Sequence, residues 1–189
     1  MNAPLRWLAG LLAGTAVLVI SLIMLGVFDP KPVGELVWER PLPAQTVPGL
    51  TRQIFWLDEK TPDADFSLRL TSAHQSGEID SAYGLLLGSE DDYLVIIISP
   101  LGYAAVEERH SSAIISHSAF QPWPHINPNE NEIWLDVVDG RIAIRINRER
   151  YWAGEVGEIG DGIGVYGESF GETAVIAFPQ LQFFAVVEP

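Results

Sequence analysis

The chain has 189 residues, no cysteine, 25 Asp and Glu against 11 Lys and Arg, and a net charge of −14. The missing cysteines exclude a disulfide framework, a thiol nucleophile, a thiolate metal site and an iron–sulfur cluster. All the acidic residues lie at or beyond Asp29, and Arg6 is the only basic residue before it. The chain beyond that point therefore carries a charge of about −15, which repels nucleic acid and anionic headgroups.

Residues 1–6 form a short tail ending in Arg6. Residues 7–28 read WLAGLLAGTAVLVISLIMLGVF, without a charge. At the helical rise this run reaches about 33 Å, against a hydrocarbon core of about 30 Å, so one transmembrane helix is expected. A cleaved signal peptide is the alternative, but its apolar core is usually about 7–15 residues and ends in a small-x-small site. This run is longer, and FDPKPVGE follows it. Arg6 and the terminal amine precede the helix, whereas Asp29 and Lys31 nearly cancel. The positive-inside rule then puts the N-terminus in the cytoplasm and the rest outside, periplasmic or extracellular. Gly10 and Gly14 form G-x-x-x-G beside Ala9 and Ala13, a helix face that admits another backbone closely. The expected partners are the lipid bilayer and other transmembrane subunits.

Residues 29–34, DPKPVG, cannot continue a helix; residues 29–49 read as this linker and a first strand, and 50–189 as one domain. From Glu35 onward the pattern is of short strands between turn residues. Strands are expected at 36–39, 52–57, 66–72, 82–87, 93–98 and 103–108, then at 113–117, 133–138, 142–147, 162–168, 173–178 and 182–187. Their number and spacing argue for an all-β sandwich or barrel. Phe66-Ser67-Leu68-Arg69-Leu70 alternates apolar and polar residues, so one face is buried. Leu94–Ile98 is apolar without a break, as in a central strand covered on both faces. Asp139-Gly140 is a two-residue hairpin signal, since both positions need positive φ. His117–Asn131, with three prolines, reads as a long loop.

The order DFSLRL…SAYGLLLGSEDDYLVIIISPLGYAAVEE, then NEIWLDVVDGRIAIRINRERYW, GDGIGVYGES and FPQLQFFAV, resembles the laminin-G-like or concanavalin A-like domains. The resemblance implies an antiparallel jelly-roll β-sandwich over about 50–187, behind the membrane helix. Arg148 stands after Asn147 where that family usually has Gly. Members of the family include lectins, protein-binding modules and sugar hydrolases, and fold alone does not choose among them.

Several groups are candidates for chemistry. Glu78-Ile79-Asp80 resembles the start of the laminarinase motif Glu-x-Asp-x-x-Glu, whose outer carboxylates act as nucleophile and acid/base in retaining hydrolysis. The third position here is Tyr83, which does not supply a carboxylic acid. Glu90-Asp91-Asp92 is the candidate calcium loop, with Asp58, Glu59, Asp63 and Asp65 in another connection, although neither has a spaced loop motif. Trp123, His125, Tyr151 and Trp152 are candidate ligand-binding aromatics, placed in a loop and a turn, with capping of the sandwich as their other reading. Four histidines have no zinc-ligand spacing, and His110 and His117, seven apart, are assigned to opposite faces. No cofactor other than calcium is suggested. The expected function is a non-catalytic, membrane-held domain that binds a glycan or a protein, as an accessory subunit of a larger membrane assembly. The alternative is a glycoside hydrolase on the same fold.

Overall fold

A computed structural model describes residues 3–24, 30–111 and 113–186; in its helix, side chains are described at positions 7, 8, 11–22 and 24. The chain divides into two units, Met1–Lys31 and Pro32–Pro189. The first holds α1, Ala3–Met24. The second holds twelve strands among the described residues: β1 Glu35–Val47, β2 Arg52–Lys60, β3 Phe66–Gly77, β4 Ser81–Gly88, β5 Tyr93–Ser99, β6 Tyr103–His110, β7 Ala113–Pro122, β8 Glu130–Val138, β9 Arg141–Ile146, β10 Glu149–Gly154, β11 Gly162–Ser169 and β12 Ala174–Ala185.

The strands form two antiparallel six-stranded sheets. Sheet A runs β1-β12-β3-β8-β9-β10 and sheet B runs β2-β11-β4-β5-β6-β7. Their facing sides supply the main core. Leu68 and Leu70 of β3, Ile133 and Leu135 of β8, Leu94, Ile96 and Ile98 of β5 and Phe178 and Leu181 of β12 all belong to it. Period-two alternation sends the remaining side chains of each strand to the other face. On sheet B that other face is apolar as well: Leu86, Tyr93, Val95, Ile97, Ala105 and Tyr166 form a second buried cluster, with Ile54 and Trp56 against it. This accounts for the unbroken apolar run of β5, which lies between β4 and β6 and is buried throughout.

Several strands differ from the sequence expectation. β1 continues through Pro41 and Pro43 because it is an edge strand, paired only with β12, and its register shifts there; an edge tolerates proline's missing donor. The two strands expected at 173–178 and 182–187 are one, β12, in which a register shift between Ala177 and Gln180 accommodates Pro179. The expected loop from His117 begins later, because β7 keeps pairing with β6 to Pro122 through two register shifts. Tyr151 and Trp152, expected in a turn, lie in β10, an additional edge strand paired to β9. The hairpin at Asp139-Gly140 is as expected, with φ of 50° and 73°.

Candidate functional site

The face of sheet B that points away from sheet A carries a row of residues across all six strands. Lys60, Gly162, Gly88, Tyr93, Arg109 and Ile114 are successive cross-strand partners on β2, β11, β4, β5, β6 and β7. The next row is Trp56, Gly164, Leu86, Val95, Glu107 and Ser116. Glycines at the centre lower the floor between larger side chains at the rims. The Trp56 ring fills that space: a Cβ on Gly164 would lie 2.9 Å from it, and one on Gly162 3.4 Å. Tyr93 meets Trp56 edge-on, with centroids 6.0 Å apart.

Two depressions open on this row and share Glu90 of the β4–β5 loop. One, of about 260 Å³, is lined by Trp56, Lys60, Gly88, Glu90 and Asp161 among others. The other, of about 490 Å³, is lined by Glu90, Asp91, Tyr93, Arg109 and Ile114 among others. The rim is polar and ion-paired. Lys60 Nζ is 2.9 Å from Asp161 Oδ1, and Arg109 donates to Glu107 from Nε and Nη2 at 3.0 and 2.6 Å. Farther along, the buried Tyr166 hydroxyl donates to Glu168. Its pKa is pushed far up by burial and by that carboxylate. An aromatic floor with fixed charged groups at its edge has the chemistry of a site for a flat, hydroxyl-rich ligand.

The sequence candidates are distributed as follows. Glu90 and Asp91 line the second depression, whereas Asp92 Oδ1 accepts a hydrogen bond from His110 Nδ1 at 2.7 Å. No group of three or more His, Asp or Glu is placed to hold a metal ion among the described residues. Trp123, His125 and Tyr151 come together, whereas Trp152 meets His117. Trp123 meets Tyr151 edge-on at 5.0 Å and His125 at 5.2 Å, Trp152 contacts His117 at 4.9 Å, and the Tyr151 hydroxyl bonds Ser118 at 2.8 Å. Trp123, Tyr151 and Trp152 are partly buried against the main core, in the geometry of a seal between the β7 and β10 edges. Glu78 lies in the β3–β4 turn. Its Oε1 accepts from Asp80 N–H at 3.0 Å and its Oε2 from Glu172 N–H at 3.3 Å, and these amides hold its pKa below the usual value. A carboxylate engaged in this way braces a turn. Gly14 of α1 faces open space, and the Gly10 side of the pair lies outside the described side chains. Over the described residues alone, no helix is long and apolar enough to cross a membrane.

His110 and His117 converge, contrary to their assignment to opposite faces. A turn separates them onto neighbouring strands, and both rings reach Glu108, which is 2% exposed. His110 Nε2 is 2.8 Å from Glu108 Oε1, His117 Nε2 is 2.9 Å from Oε2, and Gly157 N–H donates to Oε1 at 3.0 Å. Both nitrogens of His110 face carboxylate oxygens, an arrangement that favours the doubly protonated imidazolium. Asp92 and then Glu108 raise its pKa. Burial alone would raise the pKa of Glu108; the bonds from His117, His110 and Gly157 outweigh it and leave the carboxyl below its usual range.

No protein-family model and no curated protein matches the sequence. Solved structures do match. The carbohydrate-binding module CBM66 from Bacillus subtilis superposes with a TM-score of 0.60 at 8% identity, over 82% of this chain and 100% of the module. The carbohydrate recognition domain of Emp47p gives 0.54 at 14%, over 81% and 98%. The Caenorhabditis elegans galectin LEC-6 gives 0.51 at 14%, over 77% and 94%. The likeness is one of fold: an antiparallel two-sheet β-sandwich shared with these three domains.

The trough residues escaped the sequence reading because they come from six separate strands. One signal was present: Gly162 and Gly164 alternate in β11, and such alternation marks a close approach by a neighbour, here Trp56.

Proposed function

We propose that the chain is a non-catalytic carbohydrate-binding domain held at the outer face of a membrane by its N-terminal helix. The observation that carries the binding part is the trough across sheet B, in which the Trp56 ring lies over Gly162 and Gly164 and meets Tyr93 edge-on, between the Lys60–Asp161 and Arg109–Glu107 ion pairs. Sugar rings present apolar C–H faces and a rim of hydroxyls, which such a surface matches. The printed names of the structural neighbours, a carbohydrate-binding module and a carbohydrate recognition domain, support the same ligand class. Hydrolysis is the weaker reading, because the Glu78 carboxylate is engaged by turn amides.

The charge-free run at 7–28 supports the anchor, and Arg6 before it supports an extracytoplasmic domain. Gly10 and Gly14 support packing against another transmembrane helix, which makes the chain an accessory subunit of a membrane assembly. The test is a glycan array probed with the full chain in mild detergent, followed by calorimetry on the best ligand. Trp56→Ala should weaken binding at least tenfold, about 1.4 kcal/mol, while the thermal transition of the sandwich persists. Absence of binding to any neutral or acidic glycan, or full affinity in the variant, would defeat the proposal.

A further inference from the structure

The face of sheet A turned away from the core also carries a row across its six strands: Glu39, Gln182, Arg69, Trp134, Arg145 and Arg150 are successive partners on β1, β12, β3, β8, β9 and β10. Its two ends differ electrostatically. At the β1 end, Glu39 accepts hydrogen bonds from Gln180 at 2.7 Å and Gln182 at 2.8 Å. In the middle, Arg69 is 4% exposed and lies 4.2 Å from the Trp134 ring centroid, with Nη2 2.7 Å from Asp136 Oδ1. At the β10 end, Arg145 and Arg150 have no ion-pair partner among the described residues. Nearby carboxylates are already engaged: Glu132 with Arg148 at 3.7 Å, and Glu155 with Arg141 at 3.4 Å.

Apart from Arg69 Nη2, which is ion-paired with Asp136, two buried donors in this row lack acceptors. Trp134 is 7% exposed, and its Nε1–H has no partner; neither has the buried Nε–H of Arg145. A buried donor without an acceptor costs about 1–3 kcal/mol and calls for an explanation. Arg145 and Arg150 are cross-strand partners, so two positive charges fall on neighbouring strands, and an acceptor that carries negative charge suits both the charges and the unpaired donors. The charge of the whole domain limits what that acceptor belongs to. A field of about −15 repels nucleic acids and densely sulfated chains, so the fitting ligand is nearly neutral and carries a single anionic group.

We propose that the β8–β10 end of this face is a second saccharide site, selective for a sugar bearing one carboxylate, which the Arg145 and Arg150 guanidinium groups receive beside Trp134. A planar carboxylate matches the guanidinium fork, and the sugar hydroxyls face Thr71 and Glu132 in the adjacent row on β3 and β8. The site is independent of the trough on sheet B.

The experiment is an NMR titration of the full chain in detergent, following indole N–H signals, with that of Trp134 assigned by Trp134→Phe. Methyl β-glucuronide is compared with methyl β-glucoside, which differs only in lacking the carboxylate, and with acetate, which lacks the sugar. The glucuronide should shift the Trp134 signal saturably, at a concentration at least tenfold lower than either control. The double variant Arg145→Gln/Arg150→Gln, and the exposed Arg150→Gln alone as a check on folding, should weaken this response, whereas Trp56→Ala should leave it intact. Equal response to the glucoside or acetate, an unaltered response in the double variant, or its loss in Trp56→Ala would each overturn the proposal. Trp56→Ala thus separates failure of this site from failure of the trough.

Discussion

Glu108 shows how a buried carboxylate is made acceptable. Its oxygens receive His110, His117 and Gly157, drawn from β6, β7 and the connection between β10 and β11. Replacing it with Ala removes the acceptor for three donors, and the cost should be about 1–3 kcal/mol, read as a lower denaturant midpoint. The pH dependence has two limbs. His110 has a raised pKa, so its contribution is complete below about pH 6.5 and is lost as pH rises through the folded-state value. Glu108 has a depressed pKa, so its contribution is complete above about pH 4.5 and is lost as pH falls through the folded-state value. Thermal melts of His110→Gln should show a flatter alkaline limb than wild type and those of Glu108→Gln a flatter acid limb; parallel curves would refute the assignment. The sequence could not reveal this group. Residue spacing along one strand gives opposite faces for His110 and His117, and only the turn and register shifts between β6 and β7 bring both rings to one side.

The β9–β10 hairpin was the clearest departure from the family pattern in the sequence, and the backbone shows its consequence. Asn147 and Arg148 have φ of 52° and 72°. Asn tolerates this region through its short polar side chain, whereas Arg pays for a crowded Cβ, roughly 1 kcal/mol or more. Arg148 recovers part of that through its exposed contact with Glu132, 3.7 Å away, and such pairs contribute about 0–1 kcal/mol. Arg148→Gly should therefore raise the midpoint of thermal unfolding by a few degrees; a fall would mean that the contacts of Arg148 outweigh its backbone strain. Elements of this kind were legible because turn chemistry is local. Asp139-Gly140 announced its hairpin, and the alternation in β3 announced the residues that face the main core, although Ser67 and Arg69 on its other side are buried as well. β10 was not legible, since six residues with mixed polarity give no period. The continuity of β12 through Pro179 depends on a bulge against β3, which is a property of the pair.

At the scale of the molecule, the sandwich was legible from strand count and turn spacing, but the surfaces proposed above for binding were not. A trough made from one residue on each of six strands leaves no linear motif. The candidates that sequence favoured, Trp123, His125, Tyr151 and Trp152, were aromatic and fell in two short stretches; their contacts are with one another, His117, Ser118 and the core. The division into Met1–Lys31 and Pro32–Pro189 bears on stability as well as on location. Among the described residues, both hydrophobic clusters of the sandwich draw all their members from Trp38 onward. A protein beginning at Pro32 should remain soluble without detergent and unfold at the same temperature as the full chain, within about 2 °C, since loss of even 1 kcal/mol would shift a domain of this size by about 2–4 °C. The proposed anchor predicts that the full chain sediments with membranes and resists extraction at alkaline pH. Release by alkali would remove the anchor from the proposed function, while a large drop in the unfolding temperature on truncation would show that the N-terminal unit supports the sandwich.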